Sequence, residues 1–169
     1  MENIHDPHNV SAIYRTCDSV GVPKVSLLYN DEKFPKISKV SSSSANKWVE
    51  TDKFSDTSEC YNSLRKNGFK IYASLLSEEA VDLYSIDMTK KVALVFGNEH
   101  RGVSEEAAEM ADEVFYIPMR GMIQSLNVSV AAAVTLYEAQ RQRTLKGMYE
   151  QSELDESELE KLIDEWCDK

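Results

Sequence analysis

Nowhere in this 169-residue chain is there an apolar run long enough to span a bilayer, which excludes a transmembrane helix as its organising element. The N-terminus, Met1-Glu2-Asn3-Ile4-His5-Asp6, has neither the basic region nor the apolar stretch of a signal peptide. Cysteine is scarce. Cys17, Cys60 and Cys167 are odd in number and far apart, which argues against a disulfide framework and for a reduced, cytoplasmic protein. Also missing are the GxGxxG and GxxxxGK[ST] fingerprints of dinucleotide and nucleoside-triphosphate sites. His5 and His8 resemble a metal pair, but zinc needs three or four ligands and no matching His or Cys cluster stands nearby, so no metal is expected. No Ser-His-Asp or Cys-His set stands out, and Cys17 and Cys60 read as packed residues rather than nucleophiles.

What is present fits a soluble globular protein: 42% hydrophobic and 28% charged residues, in a length that suits one domain with a real core. The net charge of −10 argues against a nucleic-acid partner until it is located. Residues 150–169 hold nine acidic and two basic residues, a net of −7, whereas the remaining 149 hold 20 acidic and 17 basic, a net of only −3. The body is nearly balanced and has room for a local basic face. The lysines at 33, 36, 39 and 47, near the serine run 41–44, and the Arg141, Arg143, Lys146 cluster are candidate phosphate contacts, although such side chains usually just face water.

Strand-like and helix-like pieces alternate. A turn at Asp6-Pro7-His8-Asn9, with Asn9 as cap, leads to a helix over 10–20 that Gly21 ends. Strands are expected at 24–29, 69–75, 91–96 and 113–118. Residues 30–47 read as a polar loop, and helices are expected over 55–67, in a short acidic piece capped by Ser104, and over 127–146. Ser152 is the candidate cap of a last helix carrying Leu159, Leu162, Ile163 and Trp166 on one face. The near-continuous apolar run Lys-Val-Ala-Leu-Val-Phe at 91–96 suits a strand covered on both faces. The pattern predicts an α/β fold with a mostly parallel sheet flanked by helices. In such sheets ligands bind beyond the carboxyl ends of the strands, where the Leu75-Leu76-Ser77 turn and the loops at Gly97 and Gly121 fall.

Three constellations stand out. The segment from Ile117 to Val134 passes from a strand end through a Gly-containing loop into a helix of small residues, with Ser125 and Asn127 at the helix start. In Gly97-Asn98-Glu99-His100-Arg101-Gly102 the glycines permit close backbone approach and Glu99 offers a carboxylate; on spacing alone a solvated Gly-rich connection is equally good. Asn9 and Arg15 share the first helix. Arg15 interrupts an otherwise apolar stretch, and alone it reads as a snorkelling arginine rather than a phosphate ligand.

Together the three resemble the three motifs of the SPOUT superfamily of RNA methyltransferases: Asn9 to Thr16, Leu94 to Ser104, and Ile117 to Val134. Residues 5–12 and 136–143 resemble in particular the TrmH family, which methylates the ribose 2′-hydroxyl of a guanosine in the tRNA D-loop. The likeness spans about residues 3–149. It implies a SPOUT domain over 1–149 with a C-terminal deep trefoil knot, followed by an acidic helical extension at 150–169. It implies S-adenosylmethionine as methyl donor, held by Leu75, Leu76, Gly97, Asn98, Ile117, Met119, Ser125 and Leu126. It implies a homodimer with the active site at the subunit interface, and catalytic roles for Arg15, Asn9, Glu99, Ser125 and Asn127. Asn9 would position Arg15 or the ribose, and Glu99 and Asn127 would orient the motif loops. Because arginine stays protonated, Arg15 is read as an organiser of the target phosphate rather than a literal base. The family also carries an N-terminal helical extension and a complete first strand, where this chain has only Met1 to Ile4. Ribosomal RNA as substrate, or a non-catalytic RNA- or cofactor-binding dimer, are the alternatives.

Overall fold

A computed structural model describes residues 1–35, 45–150, 152 and 154–167. Lys36, Lys39 and the serine run 41–44 lie outside the described residues. The chain order is α1 (Pro7–Ser19), β1 (Lys24–Leu28), β2 (Glu50–Phe54), α2 (Thr57–Lys66), β3 (Lys70–Ser74), β4 (Val81–Asp82), β5 (Val92–Val95), α3 (Glu105–Met110), β6 (Glu113–Tyr116), α4 (Val128–Leu145) and α5 (Glu156–Cys167). All strand pairings between these elements are parallel: β1 with β2 in one sheet, and β4-β6-β3-β5 in the other.

Local chemistry explains the element ends. Asp6, not Asn9, caps α1: its carboxylate accepts from the His8 amide at 2.8 Å, and Pro7 occupies the first turn, where a missing N–H costs nothing. Asn9 lies inside the helix and its side chain is free for another task. Gly21, at φ +76°, closes the α1 end in the left-handed region. Ser104 and Asn127 cap α3 and α4 as their positions predict. The cap of α5 is Asp155, which accepts from the Glu158 amide and the Ser157 hydroxyl, both at 2.8 Å; Ser152 instead accepts from the Leu154 amide. Two strands, β2 and β4, stand where the sequence shows no strand signal.

The helices cover both sheet faces, in two apolar clusters. On one side α1 and α4 pack together, the fully buried Ala132 letting their backbones approach, over Leu27, Tyr72, Phe96 and Phe115. On the other, α2 and α3 bring Cys60, Tyr61 and Ala107 against Ile71, Ala73 and Val95. Burial pushes the Cys17 and Cys60 thiols up to about 11, so both are neutral packing residues at pH 7. The two sheets meet through Met1–Asn3. The Glu2 amide donates to Phe96 O at 2.8 Å, just past β5, while the Asn3 amide donates to Leu28 O at 2.9 Å, in β1. Because β3, β5 and β6 run parallel, their carboxyl ends deliver residues 75–80, 96–104 and 117–127 to one edge.

Candidate functional site

The residue that organises this edge is Glu99. Its carboxylate accepts three hydrogen bonds from the start of α1: His5 N at 2.8 Å, Asp6 N at 3.0 Å and Asn9 Nδ2 at 2.8 Å. A carboxylate among amides at a helix N-terminus is favoured by both hydrogen bonding and the helix dipole. Burial pushes the Glu99 carboxyl up, but the bonds from Asn9, His5 and Asp6 outweigh it and hold the group below its ordinary 4.5. A depressed folded value means that the stabilisation is complete above the unfolded value and is lost as pH falls through the folded one. Urea midpoints measured from pH 7 to pH 3 are therefore expected to show an acid-side loss that Glu99→Gln removes. A Gln variant with the unaltered wild-type profile would deny Glu99 this role.

Neighbouring Asn98 is buried and ties the same loop to the N-terminus: its Nδ2 donates to Asn3 O at 2.7 Å, and its Oδ1 accepts from the His100 and Arg101 amides. The loop doubles back so closely that a Cβ on Gly97 would lie 2.2 Å from Gly102 O. Gly97 is thus required by the loop itself. An open cleft of about 460 Å³ lies against Glu99, bounded by His5, Asp6, Pro7, Asn9 and His100.

The structure joins Asn9 to Glu99 through a hydrogen bond, while Asn98, next in the chain, is tied to Asn3; Asn9 makes no hydrogen bond to Arg15. Arg15 is exposed, roughly 9 Å further along α1 from Asn9. No hydrogen bond or ion pair commits its guanidinium to another described residue. Asn127 is engaged locally, its Oδ1 accepting from Ser129 N at 2.9 Å and Ser129 Oγ at 2.6 Å. Ser125 is exposed and Leu126 half-buried. Leu75, Ile117 and Met119 are half-buried, while Leu76 is exposed; the Leu75 amide donates to Phe115 O at 3.0 Å, which pins the turn after β3 to β6.

Two features of the site carry no side-chain signature. The amides of His5 and Asp6 that hold Glu99 are main-chain groups, and Asn3, the anchor of Asn98, sits at φ +48° in a segment without a helix or strand pattern. The Asp-Pro pair at 6–7 is the one local signal that places a helix N-terminus there. Conversely, two basic candidates are used inside the fold. Arg141 forms two 2.8 Å bonds to Glu138, and Arg143 donates to Met88 O and Lys90 O.

Half-buried Leu75, Ile117, Met119 and Leu126 give the loops past β3 and β6 a partly apolar surface, to which Ser125 adds an exposed hydroxyl. The description "SpoU rRNA Methylase family" matches residues 1–137. A Thermus thermophilus tRNA (guanosine(18)-2′-O)-methyltransferase is 46% identical over 169 residues, covering 100% of this chain and 87% of that protein. The crystal structure of the Aquifex aeolicus TrmH/SpoU tRNA modifying enzyme fits with a TM-score of 0.90 at 44% identity, over 98% of this chain and 84% of that one. An AdoMet-bound rRNA methyltransferase from Sinorhizobium meliloti fits with a TM-score of 0.71 at 28% identity, over 83% of this chain and 54% of that one. Parallel sheets flanked by helices, a family match over residues 1–137 and a relative 46% identical along the whole chain lead to one conclusion: the chain belongs to the SpoU rRNA methylase family.

Proposed function

We propose that this protein is an S-adenosylmethionine-dependent tRNA guanosine 2′-O-methyltransferase acting on a D-loop guanosine. The observation that carries the reading is the 46% identity, along the whole chain, to an enzyme of that specificity. When bound, S-adenosylmethionine supplies a methyl group activated by the adjacent sulfonium. The protein's task is to hold a ribose oxygen in line with that methyl and to see its proton removed. Leu75, Leu76, Gly97, Asn98, Ile117, Met119, Ser125 and Leu126 would form the cofactor site. Arg15, with its uncommitted guanidinium, would hold the phosphate next to the target ribose, and that phosphate would take the proton. Asn9 and Glu99 would fix the start of α1, and with it the direction of Arg15. Asn127 would start α4 where Ser125 meets donor and substrate.

The same reading includes a trefoil knot in the C-terminal part, with residues 1–149 as the methyltransferase domain and 150–169 as an appended helix. It also includes a homodimer. The exposed Val130 and Tyr137 on one face of α4, beside small residues, support a close helix-to-helix interface there. No described helix is long and apolar enough to cross a membrane, and a tRNA substrate puts the enzyme in the cytoplasm.

Labelled S-adenosylmethionine, with unmodified tRNA transcripts beside ribosomal RNA fragments, tests this. Label is expected on the ribose of a D-loop guanosine. Label on ribosomal RNA alone would keep the chemistry and replace the substrate. Donor binding without transfer to either RNA would favour the non-catalytic dimer.

A further inference from the structure

Beyond the reaction centre, the segment leaving β1 carries an aromatic ring that the fold does not bury. Phe34 is 39% exposed. Its ring rests against buried Tyr29, with centroids 5.4 Å apart and planes tilted by 38°. Tyr29 is itself fixed, its hydroxyl donating to Ile4 O at 2.9 Å. Lys53 Nζ lies 5.5 Å from the Phe34 centroid, and Lys33 precedes Phe34 in the chain; both lysines are exposed.

The neighbouring charges are arranged to leave these two cations available. Asp31 and Glu32, the nearest acids in sequence, both face Arg101, at 3.4 and 3.5 Å, and His5 Nδ1 lies 3.6 Å from Glu32. Lys33 and Lys53 form no ion pair with a described residue. The backbone beneath is held as well. Buried Asn3 accepts the Asp31 and Glu32 amides at its Oδ1, both at 3.2 Å, and donates from Nδ2 to Asn30 Oδ1 at 2.6 Å. The main-chain oxygen of that same Asn3 accepts from Asn98, next to Glu99. One buried residue therefore fixes both the aromatic segment and the loop that organises the reaction centre.

A rigidly backed aromatic ring beside two lysines that no acid neutralises is what a protein uses to hold an unpaired base: the ring stacks on the base and the cations meet the flanking phosphates. We infer that Phe34, with Lys33 and Lys53, is a stacking platform for an unpaired nucleobase of the RNA substrate, set at a fixed offset from the reaction centre through Asn3. The inference rests on the RNA methyltransferase reading. In the absence of RNA, Lys53 covers the ring; on binding, the base takes its place and the ammonium moves to a phosphate.

Phe34→Leu keeps an apolar cover on Tyr29 and removes the π face, whereas Phe34→Trp enlarges that face. With unmodified tRNA, Phe34→Leu is expected to raise both the KM and the directly measured Kd by about tenfold, the loss brought by removing one base–aromatic stack. Its kcat, Tm and S-adenosylmethionine affinity stay near wild type. Phe34→Trp is expected to keep wild-type KM, and tRNA should quench its added fluorescence relative to wild type. Unchanged tRNA affinity in Phe34→Leu overturns the platform. So does equal loss of affinity in both variants together with a lowered Tm, since Phe34 would then be only a cover for Tyr29. Wild-type protein that binds tRNA but transfers no methyl group would sink the functional reading, while the affinity comparison would still decide the platform.

Discussion

Arg15→Ala is expected to lower methyl transfer to tRNA by about 10²- to 10³-fold, the range seen when one charge-stabilising donor is removed from a reaction centre. S-adenosylmethionine affinity and Tm should remain at wild-type values. The reason lies in how the guanidinium is situated. It is exposed on α1, and no described carboxylate neutralises it. Truncating it therefore leaves no buried partner unpaired and removes no packed side chain, so a structural explanation of lost activity is unavailable. What disappears is a permanent cation with a planar donor fork that matches a phosphate. Arg15→Lys retains the charge but loses the fork, and intermediate activity is expected. Single-turnover transfer from labelled donor measures the effect, with calorimetric donor binding as the control. Wild-type transfer by Arg15→Ala would show that the phosphate is organised elsewhere, and the proposed role would be wrong.

Arg15 also illustrates where sequence reasoning stops. In the pattern of its helix it is one charge in an apolar stretch, and only its place beside other motifs separates it from a solvated side chain. Elements with strong local chemistry are readable. Gly21, Ser104 and Asn127 set helix ends through a left-handed turn and caps, and the apolar run at 91–96 marks a covered strand, whereas α1 starts at the Asp6 cap, three residues before the expected Asn9. By contrast, β2, Glu-Thr-Asp-Lys-Phe, is mostly exposed and polar. Its strand state is dictated by pairing with β1, which no periodicity reveals. Two arginines of the basic cluster near 141–146 have partners within the fold. Glu138 lies one turn before Arg141, and the carbonyls of Met88 and Lys90 lie beside Arg143 only in the folded chain. Asn9 donates to Glu99, ninety residues away in sequence, a partner that its helix pattern does not show. Pairings of this kind are set by the crossing of loops in three dimensions.

Gly97→Ala is expected to cost about 3 kcal/mol of stability, the upper end for overpacking a well-filled site, and to weaken S-adenosylmethionine binding by more than about 100-fold, which corresponds to about 3 kcal/mol. An added Cβ would lie 2.2 Å from Gly102 O and 2.3 Å from both Gly102 C and Val103 N. These are backbone atoms, so no side-chain rotation relieves the contact. Nor is the facing strand of the loop free to retreat. The Gly102 amide donates to Asn98 O at 2.8 Å, Gly102 occupies φ +73°, and Val103 is buried. Opening the loop must displace Asn98 from Asn3 and Glu99 from His5, Asp6 and Asn9, so one methyl group disturbs the bracket holding the start of α1. Gly121→Ala is the matched control. A Cβ there meets nothing within 4 Å and the residue has no positive φ, so its Tm should stay near wild type. Chemical denaturation and calorimetric donor binding of the two variants separate a clash specific to this loop from a general intolerance of added side chains. A Gly97→Ala protein with wild-type stability would mean that the 97–102 loop has a second conformation of similar energy. The tight fold-back would then not be what places Glu99.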